Sequence, residues 1–403
     1  MPRLPDTATG EPTSRRLRQR VEAEAYVASV CFKHGPPERI GVELEWTVHH
    51  TDDPRRPLDA AHLAAALGDH APRSLAPDSP ALPLPGGSPI SVEPGGQVEI
   101  SALPQRNLTD LFRIVSADLA TLTALLADAG LRLGDSGTDP FRPPQRVLRT
   151  PRYEAMEQAF APLGSDGITM MCNTAGLQVC VDAGEQADLP TRWAAVHALG
   201  PVLLALFANS AEPGWVSART RTVHSTDPRR TKPGPVGPDP AWAWARRAVD
   251  TPVLCVRRPD GSWDAPPGMT FADWTAGALP EPPSVEDLDY HLTTLFPPVR
   301  PQGYLELRYF DAQPDAGWMS PAALVASLTA SPSTVDKALD VCTPAADRWL
   351  DAARVGLADP VLAGAAREVV ALGVGEFANA GLSADVATTF AEDLEHRLNG
   401  TKR

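Results

Sequence analysis

Three short segments place polar, mostly acidic residues two apart on strand-like sequence: Glu43 and Glu45 in GVELEW, Gln97 and Glu99 in EPGGQVEIS, and Glu306 and Arg308 in YLELRYFD. Side chains alternate faces along a strand, so each pair projects to one side while Val42 and Leu44, Val98 and Ile100, and Leu305 and Leu307 project to the other. The spacing predicts a sheet with one oily face and one acidic face. A single strand of this kind reads as an ordinary antiparallel strand, buried on one side and wetted on the other. Recurrence in widely separated segments changes the reading, because like charges side by side destabilise a sheet unless cations lie between them. An acidic face with an arginine set in it suits divalent cations carrying a polyphosphate: hard oxygen ligands take Mg²⁺, and a guanidinium forks onto phosphate oxygens. Glu93 stands across the Pro94–Gly95–Gly96 turn from Gln97 and Glu99 and joins this set. In TAGLQVCVD, Gln178, Cys180 and Asp182 alternate with Leu177, Val179 and Val181, which makes a fourth member of the same face.

Charge excludes one class of partner. The 403 residues carry 36 basic and 50 acidic side chains, a net −14, and show no basic stripe, so a nucleic-acid backbone would be repelled. Any phosphate must be held locally, by cations and chosen arginines. The start of the chain lacks the apolar core of a secretory signal and reads as a disordered lead over residues 1–14. The oiliest run, Ala198 to Ala208, is too short to span a membrane, contains Pro201, and reads as a buried helix. Five scattered cysteines without paired spacing fit a reduced, cytoplasmic setting better than a zinc site.

Helices are predicted over about Arg15–Phe32, over Leu58–Leu67, after Asn107 as cap and up to Gly130, and over about Thr191–Asn209. The segment SARTRTVHSTDPRRTKPGPVGPDP carries Arg219, Arg221, Arg229, Arg230 and Lys232 against an acidic background. It reads either as a solvated basic loop or as a flap presenting anion-binding arginines. No GxxxxGK[ST] loop is present, and GVGEFA at Gly373 lies in a helical region with no strand before it. No HExxH pattern or serine elbow supports a hydrolase, and His291 reads as a structural histidine.

GVELE, EPGGQVEIS, MMCNTAGLQVCVD, LFANS followed by SARTRTVHSTDPRRT, and HLTTLFPPVRPQGYLELRYFD occur in the order found in the glutamate–cysteine ligases of the plant and proteobacterial type, and over about Ile40 to Asp311 the chain resembles that family. Ser217, Arg219, Asp227, Arg230 and Thr231 match its spacing. The alanine, arginine and proline bias is similar to the actinobacterial branch that supplies ergothioneine biosynthesis. The resemblance implies an α+β, glutamine-synthetase-like catalytic fold, a curved antiparallel cradle flanked by helices, as one domain over 1–403 with a helical part at 312–403. It implies ATP-dependent joining of the L-glutamate γ-carboxylate to the amino group of L-cysteine through a γ-glutamyl phosphate, in the cytoplasm, by a chain read as a monomer with no membrane or nucleic-acid partner.

The acidic face and the resemblance together assign Glu43, Glu45, Glu93, Glu99 and Glu306 to Mg²⁺. They give Arg308 and Glu306 to catalysis, and Gln97, Gln178, Ser217, Arg219, Asp227, Arg230, Thr231 and Arg308 to ATP and substrates. Val223, Ala211, Cys180, Tyr309 and Phe310 depart from the family pattern without removing a carboxylate. Three rivals stay open: a ligase with another amine acceptor, a phosphagen-type kinase, and a non-catalytic binder of metal or nucleotide.

Overall fold

The computed structural model describes residues 15–400; the lead expected over 1–14 lies outside the described residues. The acidic segments pair with one another. Strands β1 (Ile40–Trp46), β3 (Ile90–Val92), β4 (Val98–Ser101), β6 (Gly176–Val181), β7 (Val299–Pro301) and β8 (Leu305–Asp311) form a six-stranded sheet in the order β3-β4-β1-β6-β8-β7. Every pairing in it is antiparallel. The expected first strand ends at Trp46, and β2 (Val48–His50) turns away to pair with β5 (Leu131–Leu133) in a separate two-stranded sheet. Helices supply the rest of an α+β architecture.

One face of the large sheet is apolar. Val42, Leu44, Leu177, Val179, Leu305, Leu307 and Phe310 are all buried in the main core. Against it pack the helices Leu189–Phe207 and Met319–Leu328, with Phe207 meeting Phe310 edge to face. The first of these is the oily run of the sequence, and it is long and apolar enough to cross a membrane. Most of it is buried within the protein, as befits a core helix. Asn107 caps helix Leu108–Asp128 by accepting from the Asp110 N–H, as its position predicts.

Two expectations change. The first helix begins at Arg20, later than the pattern suggests, because residues before it run extended: Leu17 donates its N–H to the Pro283 carbonyl and is wholly buried. The basic segment after Ser217 forms no free flap. It folds into two short helices, Ala218–Thr226 capped by Ser217 and Pro228–Thr231 capped by Asp227, and only the tail after Lys232 lacks regular structure.

All five cysteines are unpaired thiols, four of them buried. Among the buried histidines, His197 accepts the Gly234 N–H on Nε2 and gives Nδ1–H to the Trp193 carbonyl, an arrangement only the neutral ring can make. Burial holds its pKa down, to about 4, with Arg247 adding to the effect. The unfolded chain takes up this proton near its ordinary value, so the stabilisation is complete above about pH 6.5 and is lost as the pH falls toward about 4. Urea unfolding should show wild type losing stability between pH 7 and pH 4.5. His197→Gln should lose on the order of 3 kcal/mol less over that interval, whereas equal slopes would mean that His197 does not titrate this way.

Candidate active site

The antiparallel register gathers the polar residues into rows on the other face of the sheet. Glu45 stands opposite Glu99, and Ser91 stands opposite Glu99 on its far side. Glu43 stands between Ser101 and Gln178, and Cys180 between Gly41 and Glu306. This face is enclosed rather than wetted: Glu99, Gln178 and Glu306 are all at most 1% exposed. Over it lies a cleft of about 1480 Å³ whose lining includes Glu43, Glu45, Glu93, Gln97, Arg219, Arg300, Gln302 and Arg308.

The carboxylates at the two ends of the face are in opposite states. At the β1–β4 end, the Gly176 N–H (2.8 Å) and Gln178 Nε2 (2.7 Å) donate to the two oxygens of Glu45 and fix its plane. Burial, followed by the charges of Glu99 and Glu93, pushes the Glu45 carboxyl up to about 7, against the pull of Arg308 and Arg219. Glu99 accepts on one oxygen from Ser91 (2.7 Å) and Ser101 (3.0 Å).

At the β8 end, Glu306 is saturated. Arg300 grips it with two prongs, Nε to Oε2 at 2.7 Å and Nη2 to Oε1 at 3.0 Å. Gln302 donates to Oε2 at 2.7 Å, and Arg308 Nη1 donates to Oε1. Burial alone would raise this carboxyl, yet the two guanidiniums outweigh it and hold it down to about 2. Four donors fill the four lone-pair sites of a carboxylate. In this arrangement the oxygens of Glu306, expected in the cation set, are spent on Arg300, Arg308 and Gln302.

A break in the alternation adds one residue that the sequence reading passed over. Leu177 faces Phe310 but Val179 faces Leu307, so β8 carries one more residue than β6 between those pairs. The bulge returns Asp311, opposite Gly176, to the polar side. There it accepts from the Asn209 N–H and from the hydroxyls of Ser210 and Ser217, the last being the cap of the helix that carries Arg219. The Arg219 guanidinium lies against the backbone at Gly176, donates to the Arg308 carbonyl, and leaves a buried Nε with no hydrogen-bond partner at the cleft. Gln178 Oε1 on the same face and the hydroxyl of Tyr309 in the cleft wall are likewise buried without a partner.

Other expected binding residues turn out to be framework. Arg230 is 1% exposed and spends its guanidinium on Asp227, the Thr294 carbonyl and hydroxyl, and the Pro252 carbonyl. Asp227 caps a helix and pairs with Arg229 and Arg230; Ser217 is a cap; neither lines the cleft. Thr231 does line the cleft, but its hydroxyl donates to the His224 and Asp227 carbonyls. Gln97 holds the turn, accepting from Gly95 and donating to the Met171 and Thr174 carbonyls. His291 bonds to the Ala248 carbonyl and is structural, as read. Arg300 and Gln302 went unassigned in the sequence, although Arg300 sits one strand over from Glu306 in a hairpin whose own alternation places it on the acidic face.

The donor set at the β1–β4 end, Glu43, Glu45, Glu93 and Glu99, consists of hard carboxylate oxygens and fits Mg²⁺ rather than a thiophilic metal. Among the described residues no group of three or more His, Cys, Asp or Glu side chains is placed to hold a metal ion by itself. Mg²⁺ characteristically uses one or two carboxylates together with substrate phosphates and needs none.

Residues 39–392 match the family described as glutamate-cysteine ligase family 2. The glutamate–cysteine ligase EgtA of Mycolicibacterium smegmatis is 39% identical over 367 residues, 87% of this chain and 83% of that protein. The chloroplastic glutamate–cysteine ligase of Arabidopsis thaliana is 33% identical over 309 residues, 72% of this chain and 59% of that one. Among solved structures, a glutamate–cysteine ligase from Francisella tularensis in complex with AMP aligns with a TM-score of 0.49 at 11% identity, over 92% of this chain and 82% of that chain.

The Gly176–Arg219 approach makes a direct test. A Cβ at position 176 would lie 2.3 Å from Arg219 Nη2 and 2.8 Å from Cζ, so in Gly176→Ala the guanidinium must move. It is the far end of a flexible side chain, so we expect a change in unfolding free energy below about 1 kcal/mol. Calorimetric affinity for ATP or pyrophosphate should fall roughly tenfold, the worth of one charge-assisted hydrogen bond. Unchanged affinity would show that Arg219 does not face the anion.

Proposed function

Because the chain belongs to glutamate-cysteine ligase family 2, we propose that it joins the γ-carboxylate of L-glutamate to the amino group of L-cysteine, with ATP converted to ADP and phosphate. The observation that carries this reading at the site is the pairing in register of the half-buried carboxylate of Glu45 with the buried one of Glu99, on a face whose cleft also holds the guanidiniums of Arg219 and Arg308. Carboxylate oxygens at one end and guanidinium donors at the other suit a metal–triphosphate lying across the sheet.

In this reading the glutamate γ-carboxylate oxygen attacks the terminal phosphorus of ATP, the bond to ADP breaks, and an acyl phosphate forms. The neutral amino nitrogen of cysteine then attacks the carbonyl carbon, the carbon–oxygen bond to phosphate breaks, the departing phosphate takes up the proton that nitrogen loses, and γ-glutamylcysteine and inorganic phosphate leave. Glu43, Glu45, Glu93 and Glu99 would hold Mg²⁺, which when bound offsets phosphate charge. Glu45 is oriented for this by Gln178 and the Gly176 N–H. Arg308 and Arg219 donate to oxygens that gain charge as the phosphoryl group moves, and the enclosed face makes each such contact stronger than it would be in water. Burial, with Glu43 and Glu306 beside it, drives the Cys180 thiol well above its usual range. Burial likewise pushes Cys172 up to about 12, and neither lines the cleft. These thiols stay protonated and take no part in the steps above. The product would feed the ergothioneine branch that the sequence resembles.

Release of ADP should require glutamate, cysteine and Mg²⁺ together, and mass spectrometry should find the amide and no phosphorylated guanidine. A panel of amines in place of cysteine identifies the acceptor. Glu45→Gln should cut turnover and raise the Mg²⁺ concentration needed for half-activation; near-normal behaviour would remove Glu45 from the cation set. Arg308→Lys should lose about 2 to 4 kcal/mol of transition-state stabilisation, the scale for one preorganised contact, and turnover within twofold of wild type would make Arg308 structural.

A further inference from the structure

We propose that Arg300 is a positioning residue for the reaction: by neutralising and immobilising Glu306 it keeps the Arg308 guanidinium aimed into the cleft. The inference rests on the ligase reading above and gives a role to a residue that has none there.

The geometry is that of a clamp. Arg300 on β7 stands opposite Glu306 on β8, in a hairpin closed at Gly303, whose φ of +79° lies in the left-handed region that favours glycine. The side chains of Arg300 and Glu306 are 9% and 0% exposed. The two parallel bonds fix the carboxylate plane, which a single-point donor such as lysine cannot do. A third Arg300 bond, from Nη1 to the Leu295 carbonyl at 3.3 Å, holds the guanidinium from behind. Gln302 takes a further lone pair of Glu306, and the one that remains accepts from Arg308.

Charge gives the arrangement a purpose beyond packing. A lone buried Glu306–Arg308 pair would be neutral, and the carboxylate would draw the guanidinium into a two-pronged contact of its own. With Arg300 present, two positive groups share one negative group, and the cluster keeps a surplus positive charge next to the cleft. That surplus is available to a phosphoryl group in transfer. The Arg308 backbone, tied to Pro298 by its N–H at 2.8 Å, leaves the side chain as the part that could move.

Two substitutions separate charge from geometry. Arg300→Gln keeps a hydrogen-bonding group without charge, and Arg300→Lys keeps the charge without the fork. We expect kcat to fall about a hundredfold in Arg300→Gln, as for a displaced catalytic group, with a smaller fall in Arg300→Lys. KM for cysteine should stay within about threefold of wild type, because the amine acceptor is added after the transfer step. A crystal structure of Arg300→Gln should show the Arg308 guanidinium turned onto both oxygens of Glu306. Should the Arg300 variants fail to fold, Gln302→Leu removes one donor and leaves both arginines, and a several-fold loss of kcat is expected of it. The proposal is overturned if Arg300→Gln, or Gln302→Leu in its place, keeps kcat within twofold of wild type, or if Arg308 stays where it is. Wild-type ADP release tests the ligase reading separately: if wild type releases none, the crystallographic result still decides whether Arg300 sets the position of Arg308.

Discussion

A carboxylate remains ionised inside a protein only where the surroundings repay its lost hydration, and the buried face of this sheet meets that condition at one end alone. Glu306 is compensated by Arg300, Arg308 and Gln302, and its proton affinity drops. At Glu45, brought opposite Glu99 by the β1–β4 register, burial and the charges of Glu99 and Glu93 outweigh the pull of Arg308 and Arg219, and its proton affinity rises. The same residue type on the same face thus holds its proton weakly in one place and tightly in the other. The helices behind the sheet, the hairpin beside it and the capped helix above it all serve to keep that contrast fixed.

The division of labour follows from which elements are rigid. Glu43, Glu45, Glu99 and Glu306 sit on inner strands, whose backbone is held on both sides. The arginines come from a neighbouring hairpin, from β8, and from a short helix whose cap is bonded to Asp311 of β8. Movement of either partner would therefore be felt at both: Asp311 holds the helix of Arg219 through Ser217, and Arg219 in turn bonds the Arg308 carbonyl. Charge placement of this kind lowers the reorganisation a phosphoryl transfer demands of its site.

Much of this was readable from residue order, for a physical reason: a period of two is imposed by strand geometry, so Glu43, Glu45, Glu99, Glu306 and Arg308 declare a common face without coordinates. What pairs with what was not readable. Arg300 lies six residues before Glu306, and only the hairpin register makes them neighbours. Arg230 and Arg219 look alike in a basic segment, yet Arg230 is consumed by Asp227 and backbone carbonyls while Arg219 reaches the cleft; composition cannot separate a guanidinium that has been used from one that has not. Ser217 and Asp227 fit the family spacing because the helices they cap carry or support the site, a positional role that a list of motif residues records as contact.

The bulge in β8 has a bearing on how such chains can change over time. Strict alternation would put Asp311 with Leu305 and Leu307 in the oily layer, and the extra residue near Tyr309 reverses that. An in-frame loss of that extra codon would close the ladder into strict alternation with Phe310 and Asp311 keeping their faces, whereas loss of one codon anywhere else along β8 would exchange inside for outside beyond it, so the strand can give up length at one place alone.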